Sequence, residues 1–91
     1  MKFAVEVGDV EKNYLEYHFN QFLGSLTIKI NDRPVKKAVR LVNEPVLEVD
    51  SFVVGENEKT TIRIEKQRLP LLGHVNRLYV NDRLMRVFRG L

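Results

Sequence analysis

The sequence predicts an all-β fold, an antiparallel β-sandwich of seven or eight strands, and two observations carry this prediction. Apolar and polar residues alternate in short runs, as at Phe3, Val5 and Val7. A period of two is typical of strands with one buried face and one solvated face. Turn-forming residues separate these runs, and they are Gly8-Asp9, Asn31-Asp32, Gly55-Glu56-Asn57, Gly73 and Asn81-Asp82. With 91 residues, the chain is expected to form one domain over residues 1–91.

The segment 10–23 has two interpretations. Leu15, Phe19, Phe22 and Leu23 follow helical spacing, and Gly24 would suit the residue after a helix. We favour a strand over Asn13–Asn20, because its aromatic residues suit a sheet. The alternative is a five-stranded barrel of the OB type, in which residues 10–23 are helical.

The motif Asn-Asp-Arg occurs twice, at residues 31–33 and 81–83, each time after an alternating run. Asn-Asp tolerates the positive φ that both central residues of a type I′ turn need, so two similar hairpins are expected. Duplication and the simple reuse of good turn chemistry explain the echo equally well. The facing pairs expected for two-residue turns are Ile30–Arg33, Ile28–Val35, Thr27–Lys36, Leu78–Met85, Tyr79–Leu84 and Arg77–Arg86.

Composition excludes several classes of function. The chain has no cysteine, which rules out a disulfide framework, a thiolate zinc site, an iron–sulfur cluster and a cysteine nucleophile. No apolar run reaches the roughly 18–20 residues of a membrane span, and an acid at Glu6 comes too early for a signal peptide. We therefore expect a cytoplasmic protein that does not enter a membrane and holds no cofactor.

Candidates for catalysis are few. Glu16 and His18 share one face of the strand expected at Asn13–Asn20, where they could bind a metal ion or act as a base with an orienting carboxylate. A metal site needs three or four ligands, and the spacing suggests no third one. A small enzyme or metal site is therefore the least favoured hypothesis, and an exposed polar strand face is the default interpretation.

Charge is distributed unevenly along the chain. Residues 1–58 carry a net charge of −3 and residues 59–91 a net charge of +6. Arg63, Arg77, Tyr79 and Arg86 are expected on one outer sheet face, where they meet either an anionic partner such as nucleic acid or neighbouring acids. We favour the acids, because the two halves must pack together. The candidates for contact with nucleic acid or another anion are Arg63, Arg68, Arg77, Tyr79, Arg83 and Arg86.

The expected loop at residues 66–74 is unusually apolar, and its candidate contact residues are Leu69, Leu71, Leu72 and His74. Loops normally run over the surface and are polar. This loop therefore either closes one end of the core, which is the safer interpretation, or presents an apolar contact to another protein.

Several segments, taken in order, resemble a known repeating unit. They are Tyr14–Phe19, Gly24, Thr27–Asp32, Asp50–Gly55, Thr61–Ile64 and Leu78–Leu84. Their order is similar to that of the Fas apoptotic inhibitory molecule family, with Asp32 and Asp82 in place of the glycine usual in its two hairpins. The resemblance implies an antiparallel β-sandwich without known catalytic residues that works through protein contacts.

The function predicted from the sequence is that of a non-catalytic domain which binds a protein partner or associates with itself. An exposed edge strand could also add to the sheet of another chain. The alternative is nucleic-acid binding through the basic segment 59–91.

Overall fold

The computed structural model describes residues 1–39, 46–71 and 73–90, and within these residues the chain forms eight strands and no helix. This confirms the all-β prediction. Asn13–Asn20 is a strand, so the alternative barrel with a helix at residues 10–23 is wrong. The strands are β1 (Lys2–Val7), β2 (Asn13–Asn20), β3 (Ser25–Ile30), β4 (Arg33–Val39), β5 (Leu47–Val54), β6 (Thr60–Arg68), β7 (His74–Val80) and β8 (Arg83–Gly90).

The strands form two four-stranded sheets, β1-β2-β3-β4 and β5-β6-β7-β8, in which all neighbours are antiparallel. Each sheet is therefore built from consecutive strands of one half of the chain. Contacts across the sandwich join β1 to β8 through Phe3 and Phe88, whose rings stack at 3.8 Å, and β2 to β7 through Phe19 and His74.

The core lies between the inner faces of β1, β2, β3, β6 and β7. Burial alternates along β1, β2, β3 and β6, as the sequence period predicts, whereas β7 begins with three buried residues in succession. The buried apolar side chains are Phe3, Val5, Val7, Leu15, Tyr17, Phe19, Leu26, Ile28, Ile30, Ile62, Ile64, Val75 and Leu78. By contrast, β4, β5 and β8 have no residue in the buried class, so three of the outer strands remain largely at the surface.

Both Asn-Asp pairs form the expected turns, with positive φ at both residues: 51° and 66° at Asn31 and Asp32, and 51° and 64° at Asn81 and Asp82. The pairs next to the turns, Ile30–Arg33 and Tyr79–Leu84, are also as expected.

Beyond the turns, the expected pairs Ile28–Val35, Thr27–Lys36, Leu78–Met85 and Arg77–Arg86 are wrong. A one-residue bulge shifts the register in each hairpin. The observed pairs are Ile28–Lys36, Thr27–Lys37, Leu78–Arg86 and Arg77–Val87. In the second hairpin the shift brings Phe88 to the inner face, where it stacks on Phe3, and separates two guanidinium groups that would otherwise repel each other.

A second repeated motif, Gly-x-x-Glu-Lys, precedes β2 and β6, at residues 8–12 and 55–59. The two copies bind each other. Glu11 Oε1 accepts a hydrogen bond from the Glu56 N–H at 2.7 Å, and Glu58 Oε1 accepts one from the Asp9 N–H at 2.9 Å. We call this reciprocal pair the glutamate clasp. The repeat thus extends well beyond the hairpins, which favours duplication over coincidental turn chemistry.

Candidate functional site

The apolar loop between β6 and β7 divides into buried and exposed residues. Leu71 is 97% exposed and Leu69 is half-buried, whereas Leu72 lies outside the described residues. His74 is only 1% exposed and packs edge-on against the ring of Phe19, with 4.6 Å between centroids. His74 therefore belongs to the core, and its side chain cannot serve as the contact residue expected from the sequence.

The loop between β2 and β3 lies at the same end of the sandwich as the loop between β6 and β7. The Gly73 N–H donates a hydrogen bond of 2.8 Å to Gln21 Oε1, which ties the two loops together. In the loop between β2 and β3, Phe22 is 76% exposed and Leu23 is 58% exposed. We call Phe22, Leu23 and Leu71 the loop patch, because they are exposed large apolar residues of these two joined loops.

The loop patch is held in place by ordered backbone contacts. Asn20 Oδ1 accepts hydrogen bonds from the N–H groups of Phe22 at 3.0 Å and Leu23 at 3.1 Å, the arrangement of an Asx turn. The side chains of Phe22 and Leu23 are thus directed into solvent by a fixed turn. Sequence reasoning missed both residues, because helical spacing was the feature that drew attention to them. The correspondence between the two loops in the internal repeat was the signal that could have found them.

The outer face of the second sheet gathers Arg63, Arg77 and Tyr79. Arg63 pairs with Glu65 at 3.2 Å and with Asp82 at 2.8 Å, and its guanidinium lies 4.2 Å from the ring centroid of Tyr79. Arg77 donates a hydrogen bond of 2.8 Å to Gln67. This part of the basic segment is therefore a surface network of the kind favoured from the sequence.

Arg86 does not join this network, contrary to the expected common face. Because of the bulge it lies opposite Leu78 on the other face of the sheet, with its guanidinium 5.2 Å from the ring centroid of Phe88. In the register of the strands, Arg68 lies opposite His74 at one end of the sheet, and Arg83 lies opposite Val80 at the other end. The remaining arginine candidates are thus spread over the sheet.

Glu16 and His18 lie on the outer face of the first sheet, in a shallow groove of about 730 Å³. Lysines surround them: Lys29 lies opposite Glu16, and Lys2 lies opposite His18. Within the described ranges no three His, Asp, Glu or Cys residues are placed to hold a metal ion. The pair is therefore brought together on one face as expected, but without a third ligand from this part of the chain.

A half-buried cluster of charged side chains connects β4 and β5. Lys36 donates hydrogen bonds to Asp50 and to Glu48, the latter at 3.0 Å, and Lys66 lies 3.4 Å from Glu48. Burial lowers the pKa of Lys36, but the hydrogen bonds and charges of Asp50 and Glu48 outweigh burial and raise that pKa above its ordinary value. Each charge faces an opposite one, so the cluster joins the two sheets.

Comparison of the chain with family models, with curated proteins and with solved structures found no match. The resemblance to the Fas apoptotic inhibitory molecule family therefore stays a prediction from the sequence. No helix long and apolar enough to cross a bilayer occurs in the part of the chain that the structure describes.

Proposed function

We propose that this chain is a non-catalytic protein-interaction domain and that the loop patch is its contact surface. The observation that carries the proposal is the exposure of Phe22, Leu23 and Leu71, between 58% and 97%, on two loops joined by one hydrogen bond. Single exposed apolar residues are ordinary on protein surfaces, whereas adjacent ones mark interaction sites.

Energetics support an apolar protein partner. Removing apolar surface from water is favourable by about 25 cal/mol per Å², before the entropic costs of association are subtracted. Aromatic residues are enriched among the few positions that dominate binding, which makes Phe22 the expected centre of the contact. The Asx turn at Asn20 fixes the backbone N–H groups of Phe22 and Leu23 before binding, so less conformational entropy is lost on association. The predicted cytoplasmic location and the family resemblance agree with this function.

Site-specific photo-crosslinking in the source cells tests the proposal. Benzoylphenylalanine at position 22 preserves an aromatic ring, and we expect it to form an adduct with one protein. Leu71→Asp should remove that adduct while leaving the free energy of unfolding within about 0.5 kcal/mol of the parent value, because the side chain is solvated. Leu84→Asp is the matched control, since Leu84 is 55% exposed on β8, outside the patch, and it should leave the adduct intact.

Two results would contradict the loop patch as the contact surface. One is the absence of any adduct from position 22 in source cells. The other is unfolding of the Leu71→Asp variant, which would show that this loop closes the core instead of presenting a contact.

A second candidate function is nucleic-acid binding through β8. Arg83, Arg86 and Arg89 are exposed, and no carboxylate of the described residues lies within ion-pair distance of them. If all three contact phosphates of a single strand, a fourfold rise in salt should weaken binding about tenfold to twentyfold. Fluorescence anisotropy with mixed-sequence RNA and DNA measures this dependence, and no binding at about 50 mM salt would exclude this function.

A further inference from the structure

Strand β5 differs from the other edges of the two sheets. Edge strands commonly carry charges, proline or bulges that prevent pairing with other chains. Strand β4 contains Pro34 and a bulge, and β8 contains a bulge and three arginines. Strand β5 contains neither proline nor a bulge, and its register with β6 is continuous from Leu47 to Val54. Its two charged residues, Glu48 and Asp50, alternate with the exposed residues of the strand and are paired with Lys36.

The internal repeat supplies a direct comparison with β1, which occupies the equivalent edge of the first sheet. Aligning Gly8 with Gly55 places Lys2, Ala4 and Glu6 at the positions of Val49, Ser51 and Val53. The two charges that protect β1 are therefore replaced by two valines in β5. Val49 is 50% exposed and Val53 is 66% exposed.

The backbone of β5 is also poised for pairing. The Arg68 N–H donates a hydrogen bond of 2.7 Å to the Val46 carbonyl, so residue 46 faces β6. Because hydrogen-bonding direction alternates along an antiparallel strand, residues 47, 49, 51 and 53 direct their N–H and C=O groups to the other side. Among the described residues no strand pairs with that side. The unpaired backbone groups and the exposed valines thus belong to the same residues.

We propose that β5 pairs with β5 of a second copy of this chain, antiparallel and about a two-fold axis at Ser51. In this register Ser51 lies opposite Ser51 of the second copy. Val49 lies opposite Val53 of the second copy, and the two-fold axis generates the same pair with the copies exchanged. The outward backbone groups of residues 49, 51 and 53 then all meet their counterparts, and the two sheets join into one.

Electrostatic repulsion between acidic side chains disfavours the two neighbouring registers. A two-fold axis at Asp50 would place Asp50 opposite Asp50 of the second copy, and an axis at Phe52 would place Glu48 opposite Glu56. Like charges directly opposite each other destabilise a sheet pair. With the axis at Ser51, Asp50 lies opposite Phe52 and Glu48 lies opposite Val54, so no like charges meet.

The pairing uses a surface other than the loop patch and goes beyond the proposed function. The loop patch lies near the end of the second sheet where β6 ends and β7 begins, which is also the end where β5 begins. A two-fold axis in the middle of β5 therefore directs the two loop patches to opposite ends of the joined sheet. The dimer would offer two contact surfaces to partners, which raises avidity when a partner carries repeated sites.

Sedimentation equilibrium of the purified chain measures the pairing. We expect a species of twice the 10.7 kDa chain mass. Val49→Lys with Val53→Lys places lysines opposite each other and should give a monomer. Val49→Lys with Val53→Glu places each lysine opposite a glutamate and should dimerise at least tenfold more tightly than the double-lysine variant. Leu84→Lys, on an exposed part of β8, is the control and should leave the dimer unchanged.

Amide hydrogen exchange tests, without any substitution, whether β5 is the strand that pairs. In the parent chain, exchange at Val49 and Val53 should slow as protein concentration rises, whereas exchange at Lys2 and Glu6 on β1 should not change. A parent chain that stays monomeric at about 1 mM, or a lysine–glutamate variant that pairs no better than the double-lysine variant, would overturn the proposal. A monomer that still forms the Leu71-dependent adduct would overturn self-pairing and leave the proposed function standing.

Discussion

At the scale of single residues, the glutamate clasp shows how two short motifs fix the relative position of two halves. Gly8 and Gly55 have φ of 110° and 99°, a conformation that favours glycine. A Cβ at Gly8 would collide with the Glu11 carbonyl oxygen, and one at Gly55 with the Glu58 carbonyl oxygen. These turns direct successive N–H groups to one point, where the glutamate of the opposite half accepts them.

The glutamate clasp should make the free energy of unfolding depend on pH. Burial raises the pKa of Glu11, but N–H donors from Glu56, Asn57 and Glu58 and the charge of Lys59 outweigh burial and hold that pKa below its ordinary value. A folded-state pKa below the unfolded one means that the carboxylate stabilises the fold above the unfolded pKa. This stabilisation is lost as pH falls through the folded-state value.

We therefore expect Glu11→Gln to lower the melting temperature at about pH 7 and to have a much smaller effect at about pH 3. Differential scanning calorimetry at both pH values measures the difference. Glu6→Gln is the control, because Glu6 is exposed on β1 and makes none of the clasp contacts. An equal loss for Glu11→Gln at both pH values would contradict a role for the ionised carboxylate.

At the scale of elements, the two hairpins show where sequence reasoning works and where it ends. Strand periodicity and the Asn-Asp turns follow from local chemistry, and both were predicted. The bulges at Val35 and Met85 were not predicted. Packing across the sandwich, such as that of Phe88 against Phe3, selects the register after each turn. Such packing becomes visible only when both sheets are in place.

The same limit applies to the candidate site. Leu71 could be identified because three leucines in a loop are unusual in any sequence. Phe22 and Leu23 were missed, since the hydrogen bond between Gln21 and Gly73 joins their loop to that of Leu71 across two sheets, and the internal repeat was the one signal that pointed to it. Residues brought together by tertiary structure leave no local pattern.

Turn chemistry yields a prediction on hairpin stability. Asp32 and Asp82 have φ of 66° and 64°, a conformation that glycine adopts without steric cost. Asp32→Gly should therefore raise the free energy of unfolding by about 0.5–1 kcal/mol. Asp82→Gly should raise it less, because that substitution also removes the 2.8 Å ion pair with Arg63, although an exposed pair contributes only about 0–1 kcal/mol.

Urea unfolding of both variants measures these differences, and the two equivalent turns serve as controls for each other. Destabilisation by Asp32→Gly would contradict the view that positive φ costs free energy at that position. A larger gain from Asp82→Gly than from Asp32→Gly would show that the ion pair with Arg63 does not stabilise the fold.

At the scale of the whole molecule, each half of the chain makes one sheet, and the core lies between them. Neither sheet can bury its apolar face without the other, and a sheet that is apolar on one face must bury that face against another element. Within residues 1–39, 46–71 and 73–90, the contacts that hold the halves together include the apolar core, the ion cluster at Lys36, the glutamate clasp and the hydrogen bond between Gln21 and Gly73. The halves should therefore recognise each other even without a covalent link.

Cutting the chain between residues 42 and 43 tests this recognition. We expect peptides 1–42 and 43–91 to be unfolded alone and to form a 1:1 complex with sheet-type circular dichroism when mixed. Phe19→Ala should abolish complex formation, because the side chain is 2% exposed, contacts His74 and Lys66 of the other half, and its loss costs about 3–5 kcal/mol. Phe22→Ala, at 76% exposure in the same peptide, is the matched control and should leave the complex intact. Cooperative unfolding of either peptide alone would show that one sheet suffices for a fold, and the clasp and the ion cluster would then join two independently stable units.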